Sequence, residues 1–253
     1  MPDQPFWVVI PLFDEEKLLG GTLEALARQD DSDFALLLVD NGSTDRSREV
    51  IAAFEARHPE RPLTTIVEPQ KGTGAAADTG FRHAIAQGAS IVARTDADSL
   101  PDPRWVYLLK ADFRDGARFV GGRVVPRTDE PGYRWYDGVI GTAMIRLFER
   151  APRWFYRRPG QRYPMFMVAG LNMAIDARLY LEVDGFPRSS IDDTDEDLEL
   201  HLKVCQVIPG SQARLNRRAL VRMSIRKGKA LGYVGILLWY WGRRTTAEVV
   251  DVR

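Results

Sequence analysis

Apolar segments and amphipathic helical patterns alternate along the first half of the chain, and this alternation restricts the fold more than any other feature. Short apolar runs are separated by segments in which leucine and alanine recur every three or four residues. A run that is apolar at nearly every position indicates a strand covered on both faces, as in parallel sheets packed between helices. The sequence therefore predicts an α/β fold with a mainly parallel sheet flanked by helices.

The same patterns predict the individual elements. In the first half we predict strands at Phe6–Pro11, Phe34–Val39, Thr64–Val67 and Ala89–Arg94, and helices at Lys17–Gln29, Thr44–Arg57 (capped by Thr44) and Ala75–Gln87. In the less regular second half we predict helices at Trp105–Arg114, Tyr133–Arg150 and Thr194–Val207, and strands at Phe119–Val125 and within Met165–Ile175. No repeat or linker interrupts the chain, so we expect a single domain over 1–253. It would comprise a nucleotide-binding half (about 1–100), an acceptor and catalytic half (about 101–228) and a C-terminal amphipathic or packing segment (229–253).

Composition excludes several classes of protein. The chain has 35 basic and 35 acidic residues, and this net charge of zero gives no reason to expect a nucleic-acid partner. Cys205 is the only cysteine, which excludes an internal disulfide and a metal site built from cysteines. The apolar stretch near the N-terminus is interrupted by Pro11 and runs into acids, unlike a secretory signal. No stretch reaches the roughly 20 apolar residues of a membrane-spanning helix. We therefore expect a cytoplasmic protein.

Acidic residues follow three of the predicted strands. Asp14-Glu15 comes after the first strand and Asp40 follows the second. Asp96-Ala97-Asp98 follows the strongly apolar strand Ala89–Arg94. The carboxyl ends of parallel strands meet at the edge of the sheet where ligands bind. Two carboxylates at alternate positions can hold Mg²⁺ or Mn²⁺ while the cation bridges phosphate oxygens. Asp96 and Asp98 therefore indicate a metal site, with a solvated turn as the structural alternative.

The segment that begins at Asp40 combines turn chemistry with a carboxylate that the turn does not need. Asn41-Gly42 favours a turn, and Ser43 or Thr44 can cap the next helix. Only Asp40 is left without a structural role. A carboxylate at the last position of a strand can accept hydrogen bonds from a nucleobase or a ribose.

A glycine-rich segment, Lys71–Gly80, opens the third helix. Its free backbone N–H groups and the helix dipole suit a phosphate. It also contains Gly72-x-Gly74-x-x-Ala77, a permissive form of the dinucleotide fingerprint, with an acid about 20 residues later. A nicotinamide-dependent oxidoreductase is therefore an alternative. Against it, two strand–helix units precede the motif, whereas the fingerprint usually opens the fold.

An acidic run, Asp192–Glu199, stands at the start of the last predicted helix. Thr194 as the cap and acids in the first turn would suit the helix dipole, but six carboxylates exceed what capping requires. Asp197 and His201 are four residues apart and share a helix face, which could hold a general base beside a metal or substrate. His201 is thus a further candidate metal ligand, with a packed or solvent-facing histidine as the structural alternative.

In their order along the chain, these motifs resemble the family 2 glycosyltransferases, which are inverting enzymes with the GT-A fold. The resemblance runs from Val8 to about Val204. It rests on Ile10–Glu15, Val39–Asp45, Gly72–Gly80, Asp96-Ala97-Asp98, Gly170–Ile175 with Val183–Phe186, and Glu196–Leu200. Each motif alone is modest, but their joint order is specific.

The resemblance implies a role for each matching residue. The nucleotide-sugar would contact Pro11, Phe13, Glu15, Asp40, Lys71, Gly72, Asp96 and Ala97. Asp40 would face the base, usually uracil, while Asp96 would face the ribose or the metal and Asp98 would ligate Mn²⁺ or Mg²⁺. Asp197, with its acidic neighbour Glu196, would deprotonate the acceptor hydroxyl. Gly170 and Asn172 would lie on the acceptor side.

The implied function is metal-dependent, inverting transfer of a sugar from a nucleotide-sugar, most often a UDP-sugar, to a glycan or lipid-linked acceptor. The sequence lacks the Gln-x-x-Arg-Trp motif of processive polysaccharide synthases in this family, which favours transfer of a single sugar. A nicotinamide-dependent oxidoreductase and a catalytically silent nucleotide-binding protein remain as alternatives.

The segment 229–244 is rich in aromatic residues and is flanked by arginines and lysines. Aromatic side chains beside basic ones suit the headgroup boundary of an anionic membrane, so peripheral membrane contact is a further hypothesis. A helix packed on the domain fits equally well, because the stretch is apolar on all sides and lacks a clear polar face.

Overall fold

The computed structural model describes residues 5–130, 132–149, 160–188 and 196–226, together with residues 229, 230, 232 and 235. The strands are β1 Phe6–Leu12, β2 Ala35–Asp40, β3 Leu63–Val67, β4 Ile91–Arg94, β5 Leu100–Pro101, β6 Phe119–Pro126, β7 Met173–Asp176 and β8 Ala213–Met223. The helices are α1 Leu19–Ala27, α2 Ser47–Arg57, α3 Thr73–Ala86, α4 Trp105–Arg114, α5 Trp135–Glu149, α6 Ala177–Glu182 and α7 Glu196–Val207.

The described strands form one sheet in the order β3-β2-β1-β4-β7-β6-β8-β5. Strands β1 to β4 are mutually parallel, and β8 is parallel to β6. Strand β7 is antiparallel to both of its neighbours, and β5 is antiparallel to β8. The predicted α/β fold with a mainly parallel sheet is confirmed. The parallel half brings the carboxyl ends of β1, β2 and β4 to one edge, which is where the predicted ligand-binding acids lie.

Two hydrophobic clusters cover the two faces of the sheet. Because successive strand residues point to opposite faces, Val8 and Ile10 of β1 pack with α1, α2 and α4, while Val9 packs with α3 and α7. Helix α3 lies so close to β1 that a Cβ atom at Gly80 would come within 2.4 Å of Val9 Cγ1. This close approach fixes the glycine-rich start of α3 beside the ends of β1 and β2.

The prediction that Thr44 caps α2 was wrong. The helix begins at Ser47, the N-cap residue Arg46 forms no side-chain capping hydrogen bond, and Asp45 Oδ1 accepts from the Ser47 N–H at 2.9 Å. The Thr44 N–H instead donates to Asp14 Oδ1 at 2.7 Å, which ties the loop after β2 to the loop after β1. The sequence patterns also missed β5, α6 and β8.

Two predictions fall wholly or mostly on residues that the structure does not describe. Thr194 as a helix cap lies outside the described residues, as do residues 192–195 of the acidic run. Most of the C-terminal segment also lies outside them, and its described residues 229, 230, 232 and 235 are helical. None of the helices in the described part of the chain is long and apolar enough to cross a membrane. The division into two halves and a C-terminal segment stays a prediction.

Candidate active site

Glu15 and Asp98 face each other across a single arginine at the carboxyl edge of β1 and β4. Arg226 Nη2 lies 2.7 and 2.9 Å from the two carboxylate oxygens of Glu15 and 2.9 Å from Asp98 Oδ2. Burial and the nearby Asp98 raise the pKa of Glu15 to about 7, although Arg226 opposes the shift. Both carboxylates therefore point at one small space that favours a positive charge.

A second arginine joins Asp96 to the acids of α7. Arg94, at the end of β4, is 2% exposed, and its Nε donates to Asp96 Oδ1 at 3.0 Å. Its Nη1 donates to Glu196 Oε1 at 3.2 Å. Burial raises the pKa of Asp96, and the nearby carboxylates of Asp98 and Glu196 add to the shift, whereas Arg94 opposes it. A buried guanidinium thus holds the metal motif and the predicted catalytic acids in one network.

Asp197 lies in the first turn of α7, next to the predicted acceptor-side segment. Its Oδ2 accepts a hydrogen bond from the Gly170 N–H at 2.8 Å, and its Oδ1 accepts one from the Leu198 N–H at 2.7 Å. Burial and the neighbouring Glu196 raise the pKa of Asp197 to about 6, with Arg94 opposing. A carboxylate with this pKa is ionised at neutral pH yet accepts a proton more readily than an ordinary aspartate, which suits a general base.

Asn172 follows Gly170 by two residues in a short 3₁₀ turn. Its Nδ2 donates to the carbonyl oxygens of Arg123 and Ala219 at 2.8 and 3.0 Å, and its Oδ1 accepts from Trp105 Nε1 at 2.8 Å. The side chain is therefore committed to holding β6, β8 and α4 together. It positions the acceptor-side segment, and the geometry does not favour direct contact between this side chain and a substrate.

The loops after β1 and β2 meet the entry to α3. Lys71 Nζ lies 3.6 Å from the centre of the Phe13 ring and donates to the Asn41 carbonyl oxygen at 2.8 Å. The Gly72 N–H donates to Asn41 Oδ1 at 2.9 Å. Phe13, Lys71 and Gly72, which the sequence assigns to the nucleotide-sugar, are thus brought together.

Asp40 is buried at the end of β2. Its Oδ1 accepts from the Ser43 N–H at 2.7 Å, and its Oδ2 accepts from Arg48 Nε and Nη2 at 3.0 and 2.9 Å. Burial alone would raise the pKa of Asp40, but the hydrogen bonds from Ser43 and Arg48 outweigh it and lower the pKa. A nucleobase would have to share or replace these hydrogen bonds.

Pro11 and Ala97 are buried beneath the site. Pro11 is a buried position of β1 opposite Val39. The Ala97 side chain is 3% exposed and packs in the core, and its carbonyl oxygen accepts from Thr22 Oγ1 at 2.7 Å. Ala97 therefore anchors the loop through its side chain, and its contact with the nucleotide-sugar stays a prediction.

His201 is buried among aromatic rings. Its ring centre lies 4.6 Å from that of Phe166 and 4.9 Å from that of Phe119. Burial lowers the pKa of His201 to about 3, so the ring is neutral at physiological pH. These apolar surroundings fit the packing alternative and do not support the hypothesis that His201 binds a metal.

The described residues contain no cluster of three or more His, Cys, Asp or Glu side chains arranged to hold a metal ion. The site nevertheless fits a cation that is shared with phosphate oxygens. Its carboxylates outnumber its guanidinium groups, and burial, with a smaller contribution from their crowding, raises the pKa of Glu15, Asp96 and Asp197. A divalent cation between Glu15 and Asp98 would relieve this crowding.

Sequence reasoning missed the arginines of the site. Arg94 carries a usable signal, because it is the one charged residue in an otherwise apolar strand. Arg226 carries none, since it lies 128 residues after Asp98 and 211 after Glu15. Arg127 also belongs here, because its Nη1 donates to the Asp98 carbonyl oxygen at 2.6 Å.

Comparison with known families shows which family the chain belongs to. Residues 7–181 match the model of Glycosyl transferase family 2. The chain belongs to this family. The match includes the loops after β1, β2 and β4 and the acceptor-side segment around Gly170, and it ends before α7, which carries Asp197.

Curated transferases are similar to part of the chain. The undecaprenyl-phosphate 4-deoxy-4-formamido-L-arabinose transferase of Pseudomonas fluorescens is 31% identical over 148 residues, which cover 57% of this chain and 43% of that protein. Glycosyltransferase AglE of Haloferax volcanii is 29% identical over 120 residues, covering 46% of this chain and 38% of that protein. The chain thus matches less than half the length of these relatives.

Solved structures with the GT-A fold superpose on most of this chain. The mannosyltransferase PcManGT of Pyrobaculum calidifontis, in complex with GDP-Man and Mn²⁺, superposes with a TM-score of 0.64 at 20% identity, over 95% of this chain and 65% of that one. S. aureus TarS 1–349, in complex with UDP-GlcNAc, gives 0.62 at 15% identity, over 87% of this chain and 58% of that one. These likenesses confirm the predicted GT-A fold.

Proposed function

We propose that this family 2 protein transfers a single sugar from a nucleoside-diphosphate sugar to an acceptor hydroxyl, with inversion at the anomeric carbon. The observation that carries the proposal is the joint placement of two kinds of carboxylate in one charged network. Glu15 and Asp98 converge on a cation position. Asp197, a separate half-buried carboxylate whose pKa is raised to about 6, lies beside the acceptor-side segment.

Different residues would bind the metal and accept the proton. Asp98, with Glu15 and Asp96, would hold Mn²⁺ or Mg²⁺, which would neutralise negative charge on the departing diphosphate. Asp197 takes the proton from the acceptor hydroxyl as that oxygen attacks the anomeric carbon. Attack in one displacement on the face opposite the diphosphate inverts the anomeric carbon. Arg94 keeps Asp96 and Glu196 in place.

For the donor and acceptor we propose a UDP-sugar and a lipid-linked acceptor. The Asp40 motif supports UDP, as does the likeness to TarS in complex with UDP-GlcNAc. PcManGT in complex with GDP-Man makes a GDP-sugar the second candidate. The name of the P. fluorescens relative includes undecaprenyl-phosphate, which supports a lipid-linked acceptor and peripheral membrane contact. The predicted contact through 229–244 lies mostly outside the described residues.

Nucleotide binding and turnover test this proposal separately. Thermal shift with UDP, GDP or NAD, each with and without Mn²⁺, should show the largest Mn²⁺-dependent stabilisation for UDP. Stabilisation by NAD alone would favour the oxidoreductase alternative and overturn the proposal. Hydrolysis of a bound UDP-sugar then distinguishes an enzyme from a silent binder, and NMR of the product gives its anomeric configuration.

Arg226 competes with the metal in this proposal, because its guanidinium lies at the cation position. Arg226→Gln is expected to bind Mn²⁺ alone roughly fivefold or more tightly, since a partly exposed ion pair contributes about 1 kcal/mol. Electron paramagnetic resonance of free Mn²⁺ measures this affinity without turnover. Arg222→Gln is the matched control, because Arg222 pairs with Asp102, outside the site. Unchanged or weaker Mn²⁺ binding by Arg226→Gln would contradict the assignment.

Turnover is expected to depend on pH through Asp197. Its pKa is raised to about 6, so the carboxylate is ionised above that pH and protonated below it. A protonated base cannot accept the hydroxyl proton, so kcat should fall about tenfold per pH unit below pH 6. The measurement is kcat at saturating donor and metal from pH 5 to 8. A flat profile across pH 6 would exclude Asp197 as the base.

A further inference from the structure

Helix α5 carries an exposed apolar face. Trp135, Val139 and Leu147 are 75%, 58% and 63% exposed, and they are among seven large hydrophobic side chains with high exposure in the described part of the chain. Exposed apolar side chains grouped on one helix mark an interaction surface more often than scattered ones do. The other four lie on different elements.

A cavity of about 350 Å³ adjoins this helix, and half of its lining residues are arginines. Its charged lining residues are Arg104, Arg123, Arg146, Arg217, Arg218 and Asp102. Asp102 already pairs with Arg222 at 3.2 Å, so it offers little compensation to Arg104, Arg146, Arg217 and Arg218. The cavity is therefore strongly positive and large enough for a phosphate-bearing headgroup.

The apolar face and the cavity form one continuous surface. Thr142 and Arg146 of α5 line the cavity, and they follow Trp135 by seven and eleven residues, while Val139 follows it by four. Residues at this spacing share a single face of an α-helix. The surface also borders the acceptor side, because Asn172 Nδ2 donates to the carbonyl oxygen of Arg123, a residue that lines the cavity.

We propose that α5 and the arginine cavity form a docking surface for a membrane that contains anionic phospholipid. Trp135, Val139 and Leu147 enter the boundary between headgroups and acyl chains, and the cavity arginines bind lipid phosphates. Charge and shape favour this occupant, because a cluster of arginines suits phosphate oxygens and an exposed tryptophan beside aliphatic residues suits the membrane interface. The inference rests on the proposed function only in that a lipid-linked acceptor gives docking a purpose.

Flotation of the full-length protein with vesicles tests the surface directly. Wild-type protein should bind vesicles containing phosphatidylglycerol at low salt, and bind pure phosphatidylcholine weakly. Trp135→Ser with Val139→Ser should lower the affinity by about tenfold or more, because the interfacial apolar contacts are lost. Removing the charges of Arg146, Arg217 and Arg218 with glutamine should lower it by roughly fivefold per arginine, on anionic vesicles only.

Control variants and tryptophan quenching show whether a loss of vesicle binding is specific to the docking surface. Leu181→Ser removes an exposed leucine from α6, and Arg28→Gln removes an exposed arginine from the end of α1, so both should bind vesicles like the wild type. Acyl chains brominated near the headgroup should quench tryptophan fluorescence, and Trp135→Phe should lose part of this quenching while still docking. If the variants substituted in α5 and those substituted at the cavity arginines all bound vesicles like the wild type, the proposal would be overturned. Residues 229–244 would then be the next candidate for membrane contact.

The same variants separate this inference from the proposed function. Mn²⁺-dependent UDP binding in solution should be unchanged in every α5 and cavity variant, because none of the substituted residues lies among the carboxylates of the site. Loss of vesicle binding with UDP binding intact supports the docking surface. A wild-type protein that binds UDP and Mn²⁺ but no anionic vesicle would reject docking and leave the proposed function standing.

Discussion

Asp197→Asn is expected to lower kcat by roughly 10²–10⁴-fold while UDP binding in the presence of Mn²⁺ stays near the wild-type affinity. Asparagine keeps the size of the side chain and one acceptor oxygen, but it cannot take the proton from an acceptor hydroxyl. The donor site is formed by other residues, so its affinity should survive. Single-turnover kinetics and calorimetric titration with UDP measure the two quantities independently.

The alternative role of Asp197 is structural, as an acid in the first turn of α7. Glu199→Gln is the matched control, because Glu199 is an exposed acid in the same turn. If first-turn charge alone mattered, both variants would lower the melting temperature and leave turnover per folded molecule near normal. Equal turnover in Asp197→Asn and Glu199→Gln would reject Asp197 as the base.

The pH dependence of stability also distinguishes the two roles of Asp197, general base or first-turn acid. The pKa of Asp197 is raised in the folded protein from its usual 3.8 to about 6. The folded chain therefore holds this proton more tightly than the unfolded chain does. The stability that this group contributes is fully present below about pH 4 and is lost as the pH rises through about 6. Asp197→Asn should not show this pH-dependent loss, so its melting temperature at neutral pH should not fall far, even though the amide nitrogen cannot accept and one of the two backbone hydrogen bonds is lost.

The parallel half of the fold was predictable because its strands are buried on both faces. Strands β1, β2 and β4 are apolar at nearly every position, and a single pattern identifies them. Strand β8 was missed because Ala213–Met223 contains four arginines and an asparagine and is mostly half-buried. Its pairing with β6 comes from tertiary context, including the Asn172 side chain that bridges the two strands. Local patterns do not encode such contacts.

The acids of the site were predictable for a similar reason, since chain topology places the carboxyl ends of parallel strands together. The partners of these acids were not. Arg226 reaches Glu15 and Asp98 from the far end of the chain, and Arg94 meets Glu196 across 102 residues. The sequence therefore identifies where negative charge gathers, whereas only the structure shows which positive groups balance it.

Asp98→Ala is expected to abolish the dependence of UDP binding on Mn²⁺. Asp98 and Glu15 share one cation position, now held by Arg226, and removing Asp98 leaves a divalent ion with one fewer charged oxygen in a site of few protein ligands. Calorimetric titration of UDP with Mn²⁺ and with EDTA measures the effect. The wild type should bind UDP more tightly with Mn²⁺, whereas the variant should give the same weak affinity in both buffers.

The competing interpretation treats Asp98 only as an ion-pair partner of Arg226, and it predicts a different pattern. A partly exposed pair contributes about 1 kcal/mol or less to stability, so the melting temperature would fall slightly and the Mn²⁺ dependence would be unchanged. Asp33→Ala is the matched control, since Asp33 forms an ion pair with Lys110 that is mostly exposed on its acidic side. It should shift stability by a similar small amount without affecting nucleotide binding. If Asp98→Ala still bound UDP more tightly with Mn²⁺ than without it, the metal site would not be at the Asp96-Ala97-Asp98 motif. A loss of Mn²⁺ dependence seen in Asp98→Ala and absent from Asp33→Ala would place the metal at Asp98.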